Sequence, residues 1–292
     1  MIELGKDRRV KYFFIFPAVV YAVLMVLAPI LYTLVLSFCK WSMAGPVQVV
    51  YFDNYRRMFG TERFIHAMLR TIIFSAGALT LQMVLGTAIA LILNRDFVGK
   101  IVVQTLFLMP MVATPVSVGM VWMLIYEPSF GIANVLLQNL GVVNLPVWLG
   151  DPKTVLLSIA IIDIWQWTPM IALIVLAGLS SLPKEPFESA RVDGAKSWQT
   201  LFSITLPMVM PTIVVAGLLR LIDVLKTFDI IFATTQGGPV FASETLNIYS
   251  YVNAFQYFDM GYASALLIVF FVFVMTISVF YSKLRDKVRI DI

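Results

Sequence analysis

The chain has 292 residues, of which 60% are hydrophobic and only 13% are charged. Soluble domains are about half apolar and a quarter charged, so this composition excludes an ordinary globular protein and predicts a membrane protein. The net charge of +4 does not indicate nucleic-acid binding, because Lys and Arg in a membrane protein report its orientation.

A basic segment precedes the first long apolar run of the chain. It carries four Lys or Arg residues between positions 6 and 11, and the apolar run covers 12–38. This run is too long for the hydrophobic region of a signal peptide, and it lacks a small-residue cleavage site. We therefore interpret it as a retained first membrane span.

Six apolar runs along the chain are each long enough to cross a bilayer core of about 30 Å. We predict helices for them, because a helix hydrogen-bonds its own backbone where water is absent. Prolines inside these runs are tolerated where neighbouring groups bond the freed carbonyls. The sequence thus predicts an all-α polytopic membrane helical bundle with six transmembrane helices, at 12–38, 67–93, 101–126, 154–179, 207–232 and 262–282.

The distribution of basic residues predicts which ends of the spans face the cytoplasm. Most of the 21 Lys and Arg residues lie in the termini and in the loops 94–100 and 180–206, which the positive-inside rule places in the cytoplasm. The loop 233–261 has no Lys or Arg and is assigned to the outer side. We expect both termini to be cytoplasmic, and we divide the chain into 1–66, with the first span and an outer loop, and a core of five spans, 67–292.

The cytoplasmic loop 181–211 has more internal pattern than a linker needs. Prolines and glutamates at its start predict a short helix over 187–192. Asp193-Gly194 then predicts a turn, because Gly adopts positive φ at no steric cost. Apolar residues at helical spacing over 198–205 predict a second short amphipathic helix before the fifth span. On these grounds alone, a hairpin lying on lipid and a docking element fit equally well.

The same loop resembles the EAA loop of ABC importer permeases, in which Glu-Ala-Ala, two residues, and Asp-Gly-Ala are followed later by an apolar residue and Pro. Here the loop has ESA at 188–190, DGA at 193–195 and LP at 206–207, so that Ser replaces the middle alanine. The resemblance implies a cytoplasmic coupling helix that inserts into a cleft of an ATP-binding subunit. The residues that it assigns to this coupling are Glu188, Ala190, Asp193, Gly194, Ala195, Leu206 and Pro207.

Other segments are similar to one subclass of these permeases, the first permease subunit of maltose-type and glycerol-phosphate-type importers. They are FDNY at 52–55, LFLMPMVATPVSVGMVW at 106–122, GIANVLL at 131–137, IDIWQWTP at 162–169 and the stretch 226–266 with its TTQGGP motif. The resemblance covers almost the whole chain. It implies a bacterial inner-membrane protein that works with a second permease subunit, a dimeric ATP-binding subunit and an extracytoplasmic solute-binding protein.

Charged residues recur every three positions in the predicted fifth span. Neighbours three apart on a helix can pair, so the pattern predicts a ladder of ion pairs that faces a polar solute path. The alternative is pairing with another subunit, or snorkelling towards the outer surface. The residues concerned are Arg220, Asp223, Lys226 and Asp229.

The fourth span contains a second candidate for the solute path. Asp163 and Gln166 lie beside Trp165 and Trp167, and a carboxylate and an amide next to flat aromatic faces suit a sugar. Tryptophans in a span also serve as ordinary interface anchors. Both interpretations remain open at this point.

The outer loop contains the flexible pair Gly237-Gly238 followed by the rigid Pro239. A structural turn accounts for this sequence. The resemblance also implies that outer loops of this region contact the docked binding protein.

Motifs for catalysis or nucleotide binding are missing from the sequence. No Walker A loop is present, and with only one Cys and one His, at Cys39 and His66, an internal disulfide and a Cys-based metal site are excluded. We therefore expect no cofactor, no metal and no enzymatic activity, with ATP hydrolysis supplied by a separate subunit.

The resemblance implies import of a carbohydrate through a path shared with a second permease. A glycerol-phosphate-type solute is the first alternative, although only Arg220 and Lys226 could contribute to a phosphate pocket. An ion-coupled secondary transporter is the second, and the lack of a clear internal repeat argues against it. An intramembrane enzyme is a third class, for which no nucleophile motif is found.

Overall fold

The computed structural model describes residues 8–43 and 45–288, and most of them are helical. Two strands, β1 (Cys39–Lys40) and β2 (Gln48–Val49), pair antiparallel. Two π-helical turns cover Leu201–Thr205 and Val252–Gln256. The helices are α1 (Arg8–Ser37), α2 (Asp53–Phe59), α3 (Glu62–Leu93), α4 (Lys100–Val112), α5 (Pro115–Ile125), α6 (Ile132–Asn139), α7 (Val155–Ser180), α8 (Glu185–Val192), α9 (Ser197–Thr200), α10 (Leu206–Leu225), α11 (Asp229–Thr234), α12 (Leu246–Tyr251) and α13 (Met260–Val288).

Five stretches of helix within the described residues are long and apolar enough to cross a membrane, and a sixth span results if the bent pair α4 and α5 counts as one. This confirms the predicted all-α polytopic architecture. The five stretches are Ile15–Ser37, Glu62–Leu93, Val155–Ser180, Ser197–Leu225 and Met260–Lys283.

The third span is not the single helix predicted over 101–126. α4 and α5 meet at an angle of 100°. Between them, Ala113 and Thr114 are extended, with ψ angles of 144° and 139°. The cause is Pro115, which has no N–H to donate and disfavours helical geometry in the residue before it.

The fifth span also differs from its prediction over 207–232. Its helix ends at Leu225, and α11 begins only at Asp229. At its start, α9 and the π-helical turn run directly into α10, so the predicted second short helix is part of one continuous helix. The wider π-helical turn precedes Pro207, which cannot donate a backbone hydrogen bond.

The chain divides into two compact units. The first holds the chain up to Glu62 together with Ser250–Phe271. Within it, Arg57 Nη1 donates to Asp259 Oδ2 at 2.7 Å, and Asp259 Oδ1 accepts from the backbone N–H of Tyr262 in the first turn of α13. A carboxylate at a helix N-terminus satisfies an otherwise unpaired N–H there and opposes the helix dipole.

The second unit comprises Arg63–Tyr249 and the chain from Val272 onwards. Its apolar core joins α3, α7 and α10 around Ala90, Ile171 and Val209, all of which are buried. α3 and α7 approach each other closely at Gly86, where a Cβ would lie 2.7 Å from the side chain of Ile171. This close packing positions the polar residues described next.

Candidate functional site

The segment from Glu185 to Pro207 has the helix, turn and helix order that the sequence predicts. α8 carries Glu185 and Glu188 in its first turn, where negative charge is favourable, and Arg191 in its last turn. The predicted short helix over 187–192 is therefore confirmed and starts two residues earlier.

A Schellman motif ends α8 and reverses the chain. Gly194 has φ of +73°, the left-handed conformation that glycine adopts without strain. The N–H of Ala195 donates to the carbonyl of Ala190 at 2.9 Å, and that of Gly194 donates to the carbonyl of Arg191 at 3.2 Å. Both bonds satisfy carbonyls left free at the helix end. The bend is thus fixed by backbone hydrogen bonds.

The residues of this segment differ in what they offer to another molecule. Glu188, Asp193 and Gly194 are exposed, whereas the side chain of Ala190 is buried against its own chain. Ala195, Leu206 and Pro207 are half-buried. An approaching surface would therefore meet two carboxylates and a glycine turn.

A buried ion pair joins the two groups of charged residues that the sequence analysis treated separately. Arg220 of α10 donates from Nη2 to Oδ2 of Asp163 in α7, and both side chains are only 1% exposed. Trp167 lies beside the pair, with its ring 5.2 Å from the Arg220 guanidinium carbon. A charge so deeply buried needs a counterion and further hydrogen bonds.

Gln82 of α3 supplies those further hydrogen bonds, and sequence reasoning missed it. Its Nε2 donates to the carbonyl of Asp163 at 3.0 Å and to Asp163 Oδ2 at 2.8 Å, and its Oε1 accepts from Nε of Arg220 at 2.8 Å. The signal available in the sequence was a lone amide within a long apolar span. Three spans, α3, α7 and α10, are joined by this network.

A cavity of about 330 Å³ lies next to the ion pair. It brings together six of the eight residues that the sequence suggested for the solute path. Its lining consists of Pro115, Asp163, Trp167, Arg220, Asp223, Lys226, Thr227, Phe228, Asp229 and Ile230.

The charges around this cavity do not form the predicted ladder. Arg220 pairs across to α7, and only Asp223 and Lys226 form a pair along the helix, at 3.7 Å. Asp229 lies beyond the helix end at Leu225, so it is not on the same helix as the other three residues. The predicted ladder over all four residues is wrong, because Arg220 pairs with Asp163 instead and the helix ends before Asp229.

The remaining two candidates from the fourth span do not line this cavity. Trp165 is 46% exposed, and its ring meets that of Trp122 edge-on at 5.7 Å. Gln166 is fully buried and donates from Nε2 to the carbonyl of Ala113 at 3.0 Å. It thereby bonds a carbonyl freed by the break between α4 and α5.

One oxygen of the buried carboxylate is free to accept a hydrogen bond. Asp163 Oδ1 is buried and has no hydrogen-bond partner among the described residues, and a buried acceptor without a donor is costly. Asp163 is among the residues that line the cavity. Across residues 8–43 and 45–288, no group of three or more His, Cys, Asp or Glu is arranged to hold a metal ion.

The glycine pair of the loop 233–261 forms a hydrogen-bonded turn. Gly237 has φ of +91°, and the carbonyl of Gly238 accepts from the Ser243 hydroxyl at 2.6 Å. Pro239 is half-buried, and Val240 after it is 82% exposed. The structural turn that the sequence allowed is therefore present, and it presents an apolar side chain.

A second buried ion pair supports this loop and was not predicted. Arg63 of α3 donates from Nε and Nη2 to the two oxygens of Glu244, at 2.8 and 2.7 Å. Its guanidinium also lies 3.8 Å from the ring centre of Phe241. Two parallel bonds of this kind fix the geometry as well as the charge.

Known proteins resemble this chain over nearly its full length. Residues 64–290 match the family described as binding-protein-dependent transport system inner membrane component. A probable ABC transporter permease protein of Sinorhizobium fredii, y4oQ, is 37% identical over 284 residues, which are 95% of this chain and 91% of that protein. The trehalose/maltose transport system permease protein MalF of Thermococcus litoralis is 33% identical over 281 residues, 95% of this chain and 94% of that protein.

A solved structure shares the fold. It is that of the bacterial alginate ABC transporter in complex with alginate pentasaccharide-bound periplasmic protein. One of its chains matches with a TM-score of 0.85 and 24% identity, over 98% of both chains.

Proposed function

The chain belongs to the family of binding-protein-dependent transport system inner membrane components and is a permease subunit of an ABC importer, and on that premise we propose how its residues couple to ATP hydrolysis and which solute they pass. In this proposal a second permease completes the path, a dimeric ATP-binding subunit drives it, and a solute-binding protein delivers a carbohydrate. Both termini are cytoplasmic, although Lys6 and Arg289, which support that orientation, lie outside the described residues.

The observation that carries the coupling proposal is the fixed bend at Gly194. The Schellman motif holds α8 at a set angle to the continuous helix Ser197–Leu225. The exposed Glu188 and Asp193 are then available to a cleft of the ATP-binding subunit. A rigid element of this kind transmits the closing of that subunit as a tilt of the span.

Replacing Gly194 with valine tests this coupling. A β-branched residue is strongly disfavoured at positive φ, so we expect ATP-dependent uptake to be lost while the chain still inserts into the membrane. Gly141→Val is the matched control, because Gly141 has φ of +85° and, like Gly194, open space around its missing Cβ. Normal uptake by the Gly194→Val transporter, or equal loss in both variants, would refute the coupling role.

The chemistry of the cavity supports a carbohydrate. Asp223 and Asp229 line it with carboxylates that accept hydrogen bonds from hydroxyl groups. Trp167 and Phe228 contribute aromatic rings to the same wall. A relative at 33% identity is named as a trehalose/maltose permease.

A neutral sugar fits this cavity better than a phosphate-bearing solute. Three carboxylates and two cations line it, and Arg220 is already paired with Asp163. Lys226 is therefore the one lining cation that is not part of the buried pair, and it lies 3.7 Å from Asp223. A phosphate would meet an excess of negative charge, which disfavours the glycerol-phosphate alternative.

Uptake assays in proteoliposomes with the binding protein and the ATP-binding subunit test the solute path. We expect Asp229→Asn to lower uptake without affecting assembly, while Trp165→Ala, outside the cavity, leaves uptake unchanged. The reverse pattern would place the path elsewhere. Uptake by the chain without its ATP-binding partner would establish the ion-coupled alternative instead.

The outer loop is proposed to contact the binding protein. Val240 and Phe241 are exposed beside the turn at Gly237–Pro239. The ion pair between Arg63 and Glu244 attaches the loop to α3. We also propose the division into 1–66 and a core at 67–292; the start of the family match at residue 64 supports the boundary, although the compact unit of the N-terminal residues also includes Ser250–Phe271.

A further inference from the structure

A second cavity, of about 570 Å³, lies beside the coupling segment. The end of α3, the α8 helix and the first turns of the helix that leads into α10 line it. Ile92, Arg95, Arg191 and Trp198 are among its lining residues.

The lining has two positive charges and no negative one. Arg95 and Arg191 are both exposed, and Asp and Glu are missing from the lining. In the part of the chain that the structure describes, neither arginine takes part in a salt bridge. Guanidinium groups in a lining without a carboxylate favour an anion with several oxygen acceptors, for which Arg has the matching donor geometry.

The rim of this cavity is apolar. Ile92 and Trp198 line it and are each 61% exposed, and Phe202, one turn after Trp198, is 64% exposed. The helix Ser197–Leu225 has 29 residues and is about 43 Å long at 1.5 Å per residue, which exceeds a hydrocarbon core of about 30 Å. The helix is therefore long enough to project beyond the hydrocarbon core, and Trp198 in its first turn is a residue favoured at the depth of the lipid headgroups.

We propose that this cavity binds the phosphate headgroup of an anionic phospholipid. Arg95 and Arg191 contact the phosphate oxygens, and Ile92, Trp198 and Phe202 pack along the acyl chains. Basic pockets between helices at this membrane depth suit such headgroups. A soluble phosphate would gain nothing from the apolar rim, so the rim favours a lipid.

Of the residues assigned to coupling, Ala195 alone lines this cavity. Glu188 and Asp193, which the ATP-binding subunit would meet, do not line this cavity. The bound headgroup would connect Arg191 of α8 with Arg95 at the end of α3. An anionic lipid would in this way steady the coupling helix and raise the transport that each round of ATP hydrolysis drives.

Native mass spectrometry of the assembled transporter tests this proposal. We expect the wild type to retain phosphatidylglycerol in preference to phosphatidylethanolamine, and Arg95→Gln with Arg191→Gln to reduce that retention about tenfold. Arg56→Gln with Lys153→Gln is the matched control, because it also removes two exposed positive charges but lies outside the cavity. Retention in the control should equal the wild type.

Further variants and a soluble competitor distinguish a bound lipid from a soluble phosphate or the ATP-binding subunit. Trp198→Ser should weaken retention while both arginines remain, and Arg95→Lys with Arg191→Lys should keep part of it. If soluble glycerol 3-phosphate displaced the lipid as well as phosphatidylglycerol itself does, the lipid assignment would be overturned. It would also be overturned if Arg95→Gln with Arg191→Gln retained as much lipid as the wild type. Loss of the ATP-binding subunit from that variant with full lipid retention would show that the arginines bind the subunit instead.

Discussion

Arg220 and Asp163 are 57 residues apart in the sequence and form an ion pair from which water is almost wholly excluded. The pair joins α7 to α10 beside the cavity through which we propose the solute passes. Each charge stabilises the other here, because either one alone would be buried without a counterion. It follows that the two residues should behave as one unit on mutation.

Removing one member of the pair should cost far more than removing both. We expect Asp163→Leu to destabilise the protein by about 3–5 kcal/mol, and the addition of Arg220→Met to recover most of this loss, because no unpaired charge then remains. Thermal unfolding of the purified transporter measures both. Asp223→Leu is the control, since its pair with Lys226 is half-exposed and contributes below about 1 kcal/mol. Equal losses in the single and double variants would contradict the compensation.

Gln82 should be required for the geometry of the pair. Gln82→Leu leaves Nε of Arg220 without its acceptor and removes one of the two donors to Asp163 Oδ2, which should cost about 1–3 kcal/mol. Gln82→Glu keeps an acceptor for Arg220 but replaces the amide donor to Asp163 with a second carboxylate, so it should also destabilise the protein. Thermal unfolding of the purified transporter measures both variants. Stability equal to that of the wild type in both would exclude this role.

The sequence predicted features whose cause is local. The turn at Gly194 follows from two adjacent residues, and the spans follow from the length of apolar runs. The bend before Pro115 was missed because proline inside an apolar run is compatible with a continuous membrane helix as well as with a break. Which of the two occurs depends on partners such as Gln166, which bonds the freed carbonyl of Ala113.

The sequence predicted which residues belong to the candidate site, but it did not predict how they are arranged in space. Asp163 and Arg220 each stood out as charges within apolar spans. Their pairing depends on how α7 and α10 pack, and helix periodicity in one sequence does not specify that packing. The spacing of Arg220, Asp223, Lys226 and Asp229 pointed to a ladder only as long as the helix was assumed to continue past Leu225.

The identity of the residue at position 194 should matter only through its tolerance of positive φ. Asparagine enters the left-handed region more easily than other residues with a Cβ, and no atom lies within 4 Å of the Cβ position. We expect Gly194→Asn to retain most ATP-driven uptake and Gly194→Ala, which costs about 1–2 kcal/mol there, to retain less. If the asparagine variant were as inactive as the valine variant, contact with the glycine itself, and not the bend, would be what coupling requires.

Two glycines of α3 should respond in opposite directions to the same substitution. At Gly86, an added methyl would lie 2.7 Å from Ile171, so Gly86→Ala should force α3 and α7 apart and cost about 1–3 kcal/mol. At Gly77 nothing lies within 4 Å, and Gly77→Ala should stabilise the helix by about 0.5–1 kcal/mol. Thermal unfolding of the assembled transporter measures both changes.

Gly86 lies one turn after Gln82 on α3, so the spacing it permits also sets the reach of that amide to Asp163. Gly86→Ala should therefore lower uptake as well as stability, whereas Gly77→Ala should leave uptake unchanged. Were Gly86→Ala to lower the unfolding temperature and leave uptake intact, the amide would not depend on the close approach of the two helices. The requirement for Gly86 would then be one of packing alone.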